Sequence, residues 1–176
     1  MSIPKEHKIA LLGLGYVGLP LAVAFAEHYD VLGFDTNAEK AHRIASGIDP
    51  TNELEGDQLS HALTTRLRIS SNPTGLSACN TFIITVPTDI NPDKSPNLDP
   101  LIQASRTIGQ HLRPGDLVIY ESTTYPGCTE EVCVPILEQT SGLTYNQDFT
   151  VGYSPERINP GDKQRNVTNI LKVTSG

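Results

Sequence analysis

The sequence predicts an α/β fold in which helices cover both faces of a mainly parallel β-sheet. The first observation is that strand-like apolar runs alternate with helix-like segments, a pattern that requires crossover connections between parallel strands. The second is the run TFIITV over 81–86, whose continuous apolar character is typical of a strand buried on both faces. The third is the length of 176 residues, which suits a single domain.

The first half of the chain contains the elements that begin such a sheet. In chain order, the pattern predicts a strand over 8–12, a helix over 17–27, a strand over 30–34, a helix over 38–45 and a short strand over 67–70. Pro20 falls in the first turn of the first helix, where a missing N–H costs nothing. Asn37 is a suitable N-cap for the second helix, and Gly47 is a suitable stop.

The second half continues the alternation after Pro87 ends the strand over 81–86. The segment 88–100 contains three prolines and is predicted as a loop. This loop is long for a compact domain, which suggests that it has a functional role. The elements predicted after it are a helix over 101–112, a strand over 117–120, a helix over 129–139, a strand over 149–153 and a last strand over 170–173. Because the chain stops soon after that strand, we expect it to be part of a longer protein.

Composition and charge exclude several classes of function. The formal net charge of −7 argues against a broad nucleic-acid surface. The three cysteines, Cys79, Cys128 and Cys133, form neither a C-x-x-C pair nor a zinc pattern, and the histidines show no metal-binding spacing. No signal peptide or membrane-spanning run is visible. We therefore expect a cytoplasmic protein with reduced thiols, no metal, and no nucleic-acid or membrane partner.

A glycine motif connects the first predicted strand to the first predicted helix. The sequence GLGYVG that begins at Gly13 is G-x-G-x-x-G in the strand–turn–helix context of a Rossmann-like dinucleotide site. Gly13 permits the tight turn, Gly15 lets a pyrophosphate approach the backbone, and Gly18 lets the helix pack closely on the strand. The N–H groups of Tyr16 and Val17 would face the phosphates at the positive end of the helix dipole.

An acidic residue accompanies this motif at the expected position. Asp35 ends the next predicted strand, 17 residues after Gly18. Its carboxylate would accept hydrogen bonds from the adenosine ribose and repel a 2′-phosphate, which favours NAD over NADP. Lys40 and Arg43 lie close enough in sequence to complicate that preference. A glycine-rich turn without a ligand is the alternative that these residues alone leave open.

Four sequence blocks together carry a resemblance to a known family. They are GLGYVGLPLA over 13–22, VPT over 86–88, ESTTYPGCTEE over 121–131 and YSPERINPGD over 153–162. With these blocks in this order, the chain resembles the nucleotide-sugar 6-dehydrogenases, which include the UDP-glucose and GDP-mannose dehydrogenases. It looks most like the branch of bacterial polysaccharide biosynthesis that acts on UDP-N-acetylhexosamines. The resemblance implies oxidation of a sugar C6 alcohol to a carboxylate with two NAD⁺, through a thioester on a cysteine.

The resemblance also assigns residues to the cofactor. Those implied to contact the pyrophosphate are Gly13, Gly15, Tyr16, Val17 and Gly18. Those implied to hold the adenosine ribose are Asp35 and Lys40. Those implied to line the rest of the site are Pro87 and Thr88 in its wall, with Ser122 and Thr123 beside the nicotinamide.

The remaining implied roles concern the reaction. Thr123 matches a hydroxyl that orients a catalytic water, and Glu156 matches the acid/base of the hydrolytic step. Arg157 and Asn159 fall where the substrate is held. From the residues alone, a turn before Pro126 would also account for Thr123 and its neighbour Ser122, and Glu156 could be a solvated carboxylate.

This chain differs from the family's pattern at two positions and lacks one of the family's segments. Val86 stands where many members have threonine, and Pro160 replaces the second glutamate of the glucose and mannose branches. The segment with the family's trapping cysteine, and its catalytic lysine and asparagine, have no match. We therefore expect residues 1–176 to be an NAD-binding domain without the central helix and C-terminal substrate domain, able to bind NAD but inactive alone. The family implies a homodimer through that central helix, which leaves a monomer open for this chain.

Two other functions stay possible at this point. The first is the NAD-binding domain of another oxidoreductase, of the UDP-glucose or 2-hydroxyacid type, although SPERINPG over 154–161 argues against it. The second is a nucleotide-binding module without catalytic activity. Substrate-dependent NAD reduction by a longer protein would separate these alternatives.

Overall fold

The computed structural model of the protein describes residues 6–157 and 172–176. Its centre is a six-stranded sheet in which all neighbouring strands run parallel. The strands are β1 (Lys8–Leu12), β2 (Asp30–Phe34), β3 (Leu67–Ser70), β4 (Thr81–Ile84), β5 (Leu117–Tyr120) and β6 (Thr150–Tyr153). Their order is β3-β2-β1-β4-β5-β6, so the chain winds outward from β1 in one direction and then from β4 in the other. The predicted doubly wound parallel sheet is confirmed.

Each face of the sheet has its own hydrophobic core because successive strand residues point to opposite sides. Along β1, Ile9 and Leu11 belong to one core, whereas Ala10 and Leu12 belong to the other. All four are almost fully buried. Burial on both faces explains why the central strands are apolar throughout.

Helices cover both faces. They are α1 (Gly18–Ala26), α2 (Ala38–Ala45) and α3 (Gln58–Thr64) on one face, with α4 (Asp99–Gly109) and α5 (Val134–Ser141) on the other. Leu19, Ile44 and Leu59 anchor the first three in one core. Leu101 and Leu137 anchor the last two in the second core. Among the described residues, no helix has the length and apolar character needed to cross a bilayer.

The predicted ends of the early helices are confirmed by specific contacts. The Asn37 side chain caps α2 by accepting a hydrogen bond from the Lys40 N–H at 3.0 Å. Gly47 follows α2 with a φ of +85°, a conformation that favours glycine at a helix end. Pro20 lies in the first turn of α1, as predicted.

Two boundaries in the middle of the chain differ from the prediction. The strand predicted over 81–86 ends at Ile84, because its partner β1 ends at Leu12 and the chain turns away at Gly13, which has a φ of +95°. The helix predicted over 101–112 begins at Asp99 and ends at Gly109. Its first turn accommodates Pro100, so the preceding loop is shorter than predicted.

The last third also contains differences. The predicted helix over 129–139 is a π-helical turn, Thr129–Cys133, followed by α5. Helix α3 and a 3₁₀ turn at Pro73–Ala78 have no counterpart in the prediction. Of the last predicted strand, positions 170 and 171 lie outside the described residues, and Lys172 and Val173 are not in a strand. Ser175 instead makes an isolated antiparallel bridge to Tyr153.

Candidate dinucleotide site

A cavity of about 840 Å³ lies at the carboxyl edge of the sheet. Its wall includes residues at the ends of β1, β2, β4 and β5, across the point where the strand order reverses between β1 and β4. Ligands of open α/β sheets bind at such switch points, and the volume is in the range of ligand pockets. The predicted site residues that line it are Gly13, Gly15, Tyr16, Val17, Asp35, Lys40, Pro87, Thr88, Ser122, Thr123 and Glu156.

Two glycines of the motif have structural roles that a side chain would disturb. Gly13 has a φ of +95°, and an added Cβ would lie 2.9 Å from the Thr85 carbonyl oxygen. An added Cβ on Gly18 would lie 1.8 Å from the Gly13 carbonyl oxygen. Gly18 does not line the cavity. Its absence of a side chain allows α1 to pack against the loop and β1.

Gly15 and the residues after it face the cavity and fit a phosphate group. An added Cβ on Gly15 would meet no atom of the described residues within 4 Å. Among residues 6–157 and 172–176, the N–H groups of Gly15, Tyr16 and Val17 have no hydrogen-bond acceptor. The Val17 side chain, at the N-cap position of α1, makes no capping hydrogen bond. Unsatisfied donors at the positive end of a helix, beside open space, are the features that bind a pyrophosphate.

Asp35 is held rigidly at the end of β2. It is 5% exposed, and its two carboxylate oxygens accept hydrogen bonds from the N–H groups of Leu14 and Asn37, each at 2.9 Å. The Lys40 ammonium lies 2.5 Å from the same carboxylate. These contacts leave about one acceptor position on a carboxylate that lines the cavity. That position suits one ribose hydroxyl.

The opposite end of the cavity is formed by the turn after β5. Ser122 is buried, and its hydroxyl donates to the Val86 carbonyl oxygen at 2.8 Å. It therefore joins the turns that follow β4 and β5. Thr123 is exposed at the cavity wall, which leaves its hydroxyl accessible to a ligand or a water.

Two carboxylates and one ammonium meet beside this turn. Glu121 and Glu156 both line the cavity, and their side chains are each 8% exposed. The Lys172 ammonium donates to Glu121 and lies 3.7 Å from the Glu156 carboxylate. Burial raises the pKa of Glu121 above its ordinary value, while the Lys172 ammonium acts in the opposite direction.

The geometry thus combines a glycine loop with unsatisfied N–H groups, a buried carboxylate and a polar turn in one cavity. The model of the UDP-glucose/GDP-mannose dehydrogenase family, NAD binding domain, matches residues 7–176. The chain belongs to this family. NAD is accordingly the cofactor of the site, and the loop, Asp35 and the open space at Gly15 fit it.

Individual members of the family are similar over almost the whole chain. UDP-N-acetyl-D-glucosamine 6-dehydrogenase of Salmonella typhi is 56% identical over 171 residues, which cover 97% of this chain and 40% of that protein. The Pseudomonas aeruginosa protein of the same name is 54% identical, covering 98% and 40%. The structure of UDP-D-ManNAc dehydrogenase from Pyrococcus horikoshii matches with a TM-score of 0.81 and 40% identity, covering 88% of this chain and 37% of that one. The chain spans about 40% of the length of its curated relatives.

The substrate residues implied by the family resemblance are only partly described. Arg157 is exposed, does not line the cavity, and donates its backbone N–H to Glu156 at 2.6 Å. Asn159 lies outside the described residues. Arg157 therefore forms no part of the cavity wall.

The sequence patterns did not single out several residues that line the cavity of this family member. Glu121 had a recognisable signal, because a charged residue directly after a buried strand repeats the position of Asp35 after β2. The sequence of helix α4 did not indicate a ligand site, because the residues that face the cavity are mostly polar, like those of a solvent-exposed helix surface. The α4 residues that line the cavity are Asp99, Pro100, Gln103, Ala104 and Thr107.

The three cysteines of this family member are core residues. All are free and buried. Burial raises the pKa of Cys79 to about 11 and that of Cys133 to about 12. Cys128 is fully buried in the same core as Cys133. A thiol that is buried and inaccessible is a poor nucleophile, which agrees with a packing role for these side chains.

Proposed function

We propose that residues 1–176 are the NAD-binding domain of a UDP-N-acetylhexosamine 6-dehydrogenase whose central helix and substrate domain lie in further sequence. The observation that carries this proposal is one cavity that has N–H groups without an acceptor among the described residues at one end, and Thr123 and Glu156 at the other. Two relatives that are more than 50% identical to this chain are named as UDP-N-acetyl-D-glucosamine 6-dehydrogenases, which supports an N-acetylhexosamine as the sugar of the substrate. The replacement of the second glutamate by Pro160 supports the same choice over glucose.

In this proposal the glycine loop and Asp35 would hold NAD⁺, which would supply the hydride acceptor for each of two oxidations at the sugar C6. The N–H groups of Gly15, Tyr16 and Val17 bind the pyrophosphate. The exposed Thr123 hydroxyl orients a water, and the buried Glu156 carboxylate takes a proton from it. Water is thereby activated where it can hydrolyse a thioester held by the rest of the enzyme.

The other parts of the proposal concern the remaining residues and the setting. Asp35 and Lys40 hold the adenosine ribose, and Pro87, Thr88 and the Ser122 turn form the wall of the cofactor site. Two residues are proposed to contact the UDP-sugar, namely Arg157 and Asn159. We propose that the enzyme acts in the cytoplasm, where NAD and nucleotide sugars are both supplied.

The first prediction concerns the choice between cofactors. The chain is expected to bind NAD⁺ at least about tenfold more tightly than NADP⁺, because a 2′-phosphate would replace one hydrogen bond to Asp35 with a like-charge contact. The Lys40 ammonium is already engaged by Asp35 and does not offset the repulsion. Calorimetric titrations with both cofactors at equal ionic strength measure the ratio. Equal affinities would mean that Lys40 or Arg43 binds the 2′-phosphate.

The second prediction concerns activity. The 176-residue chain is expected to bind NAD⁺ but to produce no detectable NADH or uronic acid with UDP-N-acetylhexosamines. All three thiols are buried, so none can form the thioester that the second oxidation needs. Loss of substrate positioning removes further orders of magnitude from the rate. NADH absorbance and product chromatography provide the measurement, with a longer protein that contains this chain as the positive control. Steady formation of a uronic acid by the isolated chain would contradict the domain assignment and point to Cys128 or Cys133.

A further inference from the structure

The cluster of Glu121, Lys172 and Glu156 lies at one end of the cofactor cavity. Glu121 directly follows β5, and Glu156 follows the end of β6 by three residues. The Lys172 ammonium bridges their carboxylates from a distant part of the sequence. Both glutamate side chains are more than nine-tenths buried while lining the cavity. Charges in this position act on a bound ligand with little screening by water.

The sheet determines which end of the cofactor faces this cluster. Asp35 follows β2 and Glu121 follows β5, and these strands are separated by three strand spacings, or about 14 Å. In the proposed function, on which this inference rests, Asp35 holds the adenosine ribose and the loop at Gly15 holds the pyrophosphate. An extended dinucleotide anchored at those points directs its nicotinamide towards the turn after β5. Glu121 is the buried carboxylate at that turn.

The two redox states of the cofactor differ in charge at this end. The nicotinamide ring carries a positive charge in NAD⁺ and none in NADH, while the rest of the molecule is the same. We propose that Glu121 and Lys172 set the relative affinity of the site for NAD⁺ and NADH, the carboxylate favouring the oxidised ring and the ammonium opposing it. Each is a specificity-determining residue for the redox state of the cofactor.

The ion pair with Lys172 explains how the buried Glu121 carboxylate can keep its negative charge inside the protein. Burial alone raises the pKa of Glu121, and the ammonium of Lys172 counteracts that effect. Lys172 also fixes the carboxylate in one position, since it bonds Glu121 directly. A site that favours NAD⁺ releases NADH more readily, and the proposed reaction needs that release after each of its two oxidations.

The test uses the 176-residue chain and three ligands: NAD⁺, NADH and ADP-ribose, which lacks nicotinamide. Calorimetric titrations at pH 8 and low salt give the ratio of the NADH and NAD⁺ dissociation constants. Glu121→Gln is expected to lower this ratio by about threefold or more, and Lys172→Met to raise it by a similar factor, as one unit charge near the ring requires. Affinity for ADP-ribose is expected to stay within about twofold of the original value in both variants.

Controls make the outcome specific to charge. Lys172→Arg keeps the cation and is expected to retain the original ratio, whereas Glu130→Gln removes an exposed carboxylate outside the cavity and is expected to change nothing. Shifts of opposite sign in Glu121→Gln and Lys172→Met support the proposal, because general disruption would also weaken ADP-ribose. An unchanged ratio in the isosteric Glu121→Gln variant overturns it, even if Lys172→Met fails to fold. If the original chain bound neither NAD⁺ nor ADP-ribose, the proposed function itself would fail, and this inference with it.

Discussion

Gly15→Val is expected to abolish NAD⁺ binding and to leave the fold intact. The Gly15 backbone does not have a positive φ, and an added Cβ meets no atom of the described residues within 4 Å, so the loop has room for a side chain at this position. The branched side chain instead projects into the space where a pyrophosphate approaches the free N–H groups of the loop. Loss of those charge-assisted hydrogen bonds costs about 3 kcal/mol or more, equivalent to a hundredfold or greater loss of affinity.

Two measurements on this variant separate binding from folding. Calorimetric titration with NAD⁺ gives the affinity, and circular dichroism with thermal unfolding reports the fold. Gly15→Ala is the graded control, because a single methyl group occupies less of the phosphate space and is expected to have an intermediate effect. If Gly15→Val retained the original affinity, the loop would not be the phosphate site, and the assignment of Gly15, Tyr16 and Val17 would be wrong.

Gly18→Ala is expected to cause a large loss of stability, in contrast to Gly15→Val, which is expected to affect binding and leave the fold intact. The added Cβ would lie 1.8 Å from the Gly13 carbonyl oxygen and 2.5 Å from the Thr85 hydroxyl oxygen. The Gly13 oxygen belongs to the turn between β1 and α1, so relief requires α1 to move away from its core contacts. We expect a decrease of about 3 kcal/mol in the free energy of unfolding, measured by urea denaturation.

Gly15→Ala is the matched control for stability, since it makes the same chemical change three residues earlier. It is expected to alter the free energy of unfolding by no more than about 0.5–1 kcal/mol, because its Cβ meets nothing and its backbone conformation suits alanine. Similar stability losses for the two alanine variants would contradict the distinct roles of Gly15 and Gly18. The pair therefore tests whether one glycine serves the ligand and the other serves the packing.

Local patterns account for much of what could be predicted about the fold. The strand over 30–34, the helix over 38–45 and the Asn37 cap depend on neighbouring residues and match the structure. Helix α3 was missed because only Leu59 and Ala62 of its seven residues are buried, a short apolar pattern on an exposed surface. The end of β4 differs from the prediction because its partner β1 stops at Leu12, more than 70 residues away in sequence, where Gly13 turns the chain.

By itself, the sequence determined the glycine turn with its acidic partner, because Gly13 to Gly18 and Asp35 belong to consecutive elements whose spacing constrains their positions. It also carried the blocks around Ser122 and Glu156 on which the resemblance to the family rests. Only the tertiary structure decided that Glu121 and Lys172, 51 residues apart, form an ion pair beside the cofactor cavity. The physical reason is that a buried charged group pairs with an opposite charge that lies near it in the folded chain. Parallel strands bring their carboxyl ends to one edge of the sheet, whatever their separation in sequence.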